Sequence, residues 1–149
     1  MLSKNIEIAL NKQIRIEAES SQTYLSMACW AEIQGLEGVA NFMYAQSDEE
    51  RLHMLKLIKY VNERGGQSII TDLKAPKTAF GNFKEMFEEL YKHELFVSDS
   101  INELVHITFA EKDYATHNFL QWYVAEQIEE EAQAKNILDK ISLIGDDKG

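Results

Sequence analysis

Apolar residues recur along this chain at alternating spacings of three and four over four long stretches, the pattern of helices that each turn one stripe toward a core. The stretches run from about residue 5 to 33, 37 to 64, 82 to 108 and 112 to 143. The first stripe reads Ile6, Leu10, Gln13, Glu17, Ser20, Tyr24, Met27, Ala31. The second reads Val39, Phe42, Gln46, Glu50, His53, Leu57, Tyr60. The third is Phe83, Phe87, Leu90, Glu94, Val97, Ile101, Leu104, and the fourth Leu120, Tyr123, Gln127, Glu130, Ala134, Ile137, Ile141. Each stripe is polar at its middle. An isolated buried carboxylate costs several kcal/mol unless a proton, a cationic partner or a metal neutralises it.

The breaks set the heights of these interruptions. Gly35 and Gly38 end the first helix, Gly65-Gly66 the second, and Asn82 can cap the third; a polar tail occupies residues 145–149. A short link near residue 35 makes the first two helices antiparallel neighbours. Glu17 then lies about as far before the link as Glu50 and His53 lie after it. A second fold-back near residue 110 pairs the level of Glu94 with that of Gln127 and Glu130. The segment from 65 to 80 holds Pro76 and no sustained helical period. Extended, it spans up to about 50 Å, enough to run the length of a helix of about 42 Å. The predicted architecture is an all-α four-helix bundle with a long crossover, one domain over residues 1–149, in which all six polar groups share one layer.

Carboxylates from four helices with one imidazole suit Fe, Mn or Zn and can bridge two ions. Glu17, Glu50 and His53 would hold one ion. Glu50, Glu94 and Glu130 would hold the other, with the neutral Gln127 nearby. Position 133 is Gln, so the fourth helix offers no second Glu-x-x-His and the site is asymmetric. Glu126, Glu129 and Glu130 share a helix face, and with Glu49 form a second acidic group: either a solvated surface or a third cation site. Tyr24 and Trp122 are expected to flank the layer as packing residues able to supply an electron. His93, His106 and His117 share no such level and read as surface or core-edge residues.

Charge and composition narrow the class. The chain carries 25 Asp and Glu against 15 Lys and Arg, a net charge of −10, which repels nucleic-acid backbones and anionic membranes and attracts cations. Cys29 is the single cysteine, which excludes an intramolecular disulfide and a Cys-based metal cluster; its apolar neighbours suggest a packed residue. The N-terminus is mixed polar, and no run of about 18 apolar residues spans a membrane, so a reducing cytoplasm is expected.

The stretches Glu49-Glu50-Arg51-Leu52-His53-Met54, Tyr91-Lys92-His93-Glu94 and Asn118 through Gln127 followed by Glu129-Glu130-Glu131 resemble the bacterial non-haem ferritins over nearly the whole chain. Bundles of that family place Glu and Glu-x-x-His ligands inward. The resemblance implies that Glu17, Glu50, His53, Glu94 and Glu130 are ferroxidase ligands, with Gln127 in the oxidant pocket and Tyr24 beside the centre. It implies a third iron site from Glu49, Glu126, Glu129 and Glu130. It further implies a homo-oligomeric cage of 24 chains that oxidises Fe(II) with O2 or peroxide and stores a ferric mineral. Bacterioferritins bind haem through a methionine where this chain has Leu52, so no haem is expected. Ferritins usually continue into a fifth helix, which is absent or missing from a chain ending at Gly149. Two rival readings remain: a di-metal oxidase of an organic substrate, which needs a pocket beside the metals, and a structural bundle whose polar layer only sets register.

Overall fold

In the computed structural model, which describes residues 1–144, the chain forms four helices: α1 (Lys4–Ile33), α2 (Glu37–Glu63), α3 (Phe83–Ala110) and α4 (Tyr114–Ile144). The expected polar tail lies in residues 145–149, outside the described residues. Every bound falls within a few residues of expectation, because local chemistry fixes it. Ser3 caps α1 by accepting from the Ile6 amide at 3.2 Å, and Asn82 caps α3 by accepting from the Glu85 amide at 2.8 Å. Among the described residues, no helix is long and apolar enough to cross a membrane.

Three helices end by the same device, a left-handed residue followed by an amide that reaches back to the last turn. Gly35 (φ 76°) closes α1, with the Leu36 amide on the Ala31 carbonyl at 2.9 Å. Gly65 (φ 85°) closes α2, with the Gly66 amide on the Val61 carbonyl at 3.0 Å. At the end of α3 the left-handed residue is Lys112 (φ 60°), and the Asp113 amide reaches Thr108 at 2.9 Å. The fourth helix accordingly starts at Tyr114 rather than near 112. Asp113 caps it, accepting from the Thr116 amide at 3.0 Å and the Thr116 hydroxyl at 2.6 Å.

The chain divides into two compact units, Met1–Phe80 and the part from Gly81 onward. In the first, α1 and α2 pack as an antiparallel hairpin whose register is pinned by two serines. Ser21 Oγ donates to the Ser47 carbonyl and Ser47 Oγ to the Ser21 carbonyl, both at 2.8 Å. Ser21 lies one turn beyond Glu17 and Ser47 one turn before Glu50, so this clasp holds the two glutamates at the common height that residue spacing gives them.

The crossover runs along α1 as its length required. Asn11 clamps its start, donating to the Gln67 carbonyl at 3.0 Å and accepting from the Ile69 amide at 2.7 Å. Glu19 accepts from the Lys74 amide at 2.7 Å, Ser26 donates to the Lys77 carbonyl at 2.6 Å, and Phe80 stacks edge-on against Trp30 at 5.6 Å. From Asn11 to Trp30 these anchors cover about 28 Å of helix.

All eight expected stripe residues of α1 are buried. On α2 the stripe is shifted at its start: Ala40 and Met43 are buried, whereas Val39 and Phe42 are only half-buried. A 3.6-residue turn drifts against a three–four count, and the small Ala40 side chain lets α2 lie close. In the second unit, α3 buries Met86 as well as Phe87, and Ile137 of α4 is half-buried.

Candidate metal centre

Glu17 sits in the middle of α1 at 1 % exposure, and Glu50 and His53 lie one turn apart on α2 at 2 % and 5 %. One ligand atom from each of the three falls within 4.8 Å of the others, close enough for a single ion. His53 Nδ1 faces Glu50 Oε2 at 3.3 Å. At that distance a proton on Nδ1 or a cation shared by the two groups would satisfy both.

Glu17 states the same need more strongly. Its Oε1 receives only a long 3.5 Å hydrogen bond from Gln13 Nε2, and its Oε2 is buried without any hydrogen-bond partner. Its pKa is raised well above the ordinary carboxyl value of 4.5, first by burial and then by the Glu50 carboxylate; His53 and Gln13 oppose the shift. An orphaned oxygen, a second carboxylate and an imidazole form a donor set of hard oxygens with one nitrogen, which fits a divalent transition metal.

The second unit carries its own polar interruption. Glu94 of α3 and Glu130 of α4 are buried, at 1 % and 6 % exposure, and bring carboxylate oxygens within 4.8 Å of each other. Gln127 lies one turn before Glu130, buried. Its amide nitrogen faces the Glu94 carbonyl at 3.2 Å, Glu94 Oε2 at 3.3 Å and Ser98 Oγ at 3.1 Å. The Ser98 hydroxyl in turn donates to Glu131. Ser98 belongs to neither the stripe nor the motifs read from the sequence. The signal was there: Ser98 lies four residues after Glu94, on the same face of α3.

The remaining candidates fall where their helix phases put them. Tyr24 is buried at 1 % exposure. Trp122 is 38 % exposed and packs its ring edge-on against buried Tyr123 at 4.9 Å. Glu49 and Glu129 are exposed and Glu126 half-buried, beside buried Glu50 and Glu130. His106 is exposed, and His93 and His117 are half-buried. Cys29 corrects the expectation of packing, because it is exposed. Its apolar neighbours Met27, Ala28 and Ala31 take the inward face of α1, and one step of about 100° turns Cys29 outward. Near it, Tyr44 donates its hydroxyl to Glu32 Oε2 at 2.8 Å, a bond that pushes its pKa up to about 12.

Comparison with known proteins gives one consistent answer. A family model described as the ferritin-like domain matches residues 7–144. A "probable bacterial non-heme ferritin-like protein" of Haemophilus influenzae is 46 % identical over 147 residues, covering 99 % of this chain and 89 % of the relative. A bacterial non-heme ferritin of Campylobacter jejuni is 44 % identical, covering 98 % and 87 %. Among solved structures, an open pore ferritin of the archaeon Archaeoglobus fulgidus superposes with a TM-score of 0.98 at 44 % identity, covering 99 % of this chain and 91 % of that one. A Chlorobium tepidum ferritin superposes with a TM-score of 0.94 at the same identity, covering 97 % and 88 %.

Proposed function

The chain belongs to the ferritin family, and on that premise we propose that its buried carboxylates and His53 form a ferroxidase centre, where Fe(II) is bound, oxidised and passed on to storage. Its fold is the ferritin-like four-helix bundle and its function is iron storage. The uninterrupted family match from 7 to 144 supports reading the chain as a single domain.

The observation that carries this reading is the buried group Glu17, Glu50 and His53, in which one Glu17 oxygen has no hydrogen-bond partner and needs a cation. Two ionised carboxylates balance one Fe(II), and the neutral imidazole adds a nitrogen without adding charge. Glu94 and Glu130 are proposed as ligands of a second Fe(II), with Glu50 as the bridge between the ions; the family match supports this. Iron is the substrate. Two Fe(II) ions each lose one electron, and O2 takes both with two protons to give peroxide; with peroxide as oxidant, the same two electrons and two protons give water. Burial and the neighbouring Glu50 carboxylate favour the protonated form of Glu17 in the empty centre, and binding of the first ion would compete with that proton.

Gln127 borders the second ion as a neutral group fixed by Glu94 and Ser98. A carboxylate there would hold Fe(III) more tightly, so a neutral amide suits an ion that must leave. Tyr24, buried on the Glu17 stripe, is the proposed source of an additional electron. Glu49, Glu126, Glu129 and Glu130 are the proposed third iron site, where the exposed members would receive iron leaving the centre. No haem enters this reading, since Leu52 offers no thioether. Assembly into a cage of 24 chains in a reducing cytoplasm completes the proposal.

Anaerobic Fe(II) titration followed by O2 tests it. Two or three irons bound per chain, and fast oxidation lost in Glu50→Ala and His53→Ala, are expected. Absence of saturable binding, or unchanged oxidation in those variants, overturns the ferroxidase reading. Size measurement in solution separately decides the cage.

A further inference from the structure

The face of α1 turned away from Glu17 carries a groove that iron chemistry does not use. It has a volume of about 370 Å³ and lies between the first turns of α1 and the start of the crossover, with Lys4, Ile8, Lys12, Arg15, Ile69 and Thr71 along its walls. That volume is in the range of small-molecule sites. The Asn11 clamp on Gln67 and Ile69 fixes its two walls relative to each other, so the groove is preformed.

Two independent features define its chemistry. First, Ile8 and Ile69 expose 61 % and 48 % of their surfaces at the groove. Second, three cations line it in a chain whose net charge is −10. The one acid in the lining is already engaged: Glu7 Oε2 accepts from the Gln67 amide at 3.2 Å, and its Oε1 is 4.0 Å from Lys4 Nζ. Among the described residues, Lys12 and Arg15 have neither an ion pair nor a hydrogen bond. A guanidinium and an ammonium without partners, beside exposed aliphatic surface, match a ligand with an anionic head and an apolar body.

We propose that this groove binds a single-chain amphiphile, a carboxylate or phosphate head joined to an aliphatic tail, with Lys12 and Arg15 holding the head and Ile8 and Ile69 the tail. A bare oxyanion would leave the apolar wall unused. A long polyanion would meet the acidic surface of the rest of the chain.

Decanoate, kept below its micelle concentration, is the probe, titrated calorimetrically into the full-length protein. One saturable site per chain is expected. Octanoate should bind more weakly, by about fourfold for each methylene lost from the groove. Arg15→Gln and Lys12→Gln should each weaken decanoate by about tenfold or more, and 1-decanol and inorganic phosphate should both bind more weakly than decanoate. All these side chains are on the surface, and Lys135→Gln serves as the control that leaves binding unchanged. Loss of saturable heat, or equal affinity in Arg15→Gln, overturns the proposal. Phosphate binding as well as decanoate shows an anion site without a tail subsite, and co-sedimentation with phosphatidylglycerol vesicles without decanoate binding shows a membrane-facing surface; either result also overturns it. Fe(II) oxidation by Arg15→Gln should keep the parent rate, so the outcome here is separate from that of the ferroxidase test.

Discussion

Glu17 and Glu94 both sit at the polar middle of a helical hairpin, and each has a glutamine within reach. In the first hairpin, Gln13 offers Glu17 one long contact at 3.5 Å, and Oε2 is left bare. In the second, Gln127 approaches Glu94 Oε2 at 3.3 Å while it is also anchored to the Glu94 carbonyl and Ser98. The surroundings contrast as well: residues 1–80 carry 9 Lys and Arg against 10 Asp and Glu, whereas residues 81–149 carry 6 against 15. The nearly neutral hairpin thus holds the carboxylate most in need of a cation. The acidic hairpin gives its buried carboxylate a fixed amide. Of the two carboxylates, Glu17 is therefore the one whose burial calls more strongly for a proton or a cation.

Four substitutions probe the difference between the hairpins. Glu50→Ala removes the carboxylate nearest both Glu17 and His53. The rate of Fe(II) oxidation should fall by about 100-fold or more, read by absorbance after O2 addition. A rate within threefold of the parent would show that the first hairpin is not the primary ion site.

Gln127→Leu removes the amide from the second hairpin. Chelator-treated protein should lose about 1–3 kcal/mol in urea unfolding, because Glu94 keeps its burial without its donor. Unchanged stability would mean that the two glutamines are equivalent after all.

Glu17→Gln should do the reverse and stabilise chelator-treated protein at neutral pH by about 1 kcal/mol, while weakening Fe(II) binding. The sign follows from the raised pKa. Between 4.5 and that raised value, the folded chain keeps a proton that the unfolded chain has lost. Stability of the metal-free protein therefore falls as pH rises through this window and is recovered on acidification. Thermal melts of parent and Glu17→Gln should diverge as pH rises; parallel curves would remove Glu17 as the cause.

Lys112→Gly relieves the left-handed residue after α3, which the corresponding breaks after α1 and α2 fill with glycine. A gain of about 0.5–1 kcal/mol is expected in urea unfolding. A loss would mean that Lys112 makes a contact worth more than its backbone strain.

That last position shows how the fold was legible and where it was not. Gly35 and Gly65-Gly66 announce two helix ends because glycine tolerates positive φ. Lys112 makes the same turn without the signature residue, and the start of α4 was read about two residues early. Stripe counting placed Glu17, Glu50, His53, Glu94, Gln127 and Glu130 on buried faces, all as found. It failed at Cys29, where apolar neighbours were mistaken for burial although the helix phase turns the residue outward.

By itself, the sequence determined the four helices, the glutamates that interrupt their stripes and the level at which Glu17 meets Glu50, since rise per residue and loop position are local quantities. Only tertiary structure decided how each carboxylate is satisfied. The reciprocal Ser21–Ser47 clasp, the bare oxygen of Glu17, the Gln127–Ser98–Glu131 chain and the basic groove under the crossover all join residues far apart in the chain. Their distances depend on how helices pack, which residue spacing along any one helix does not encode.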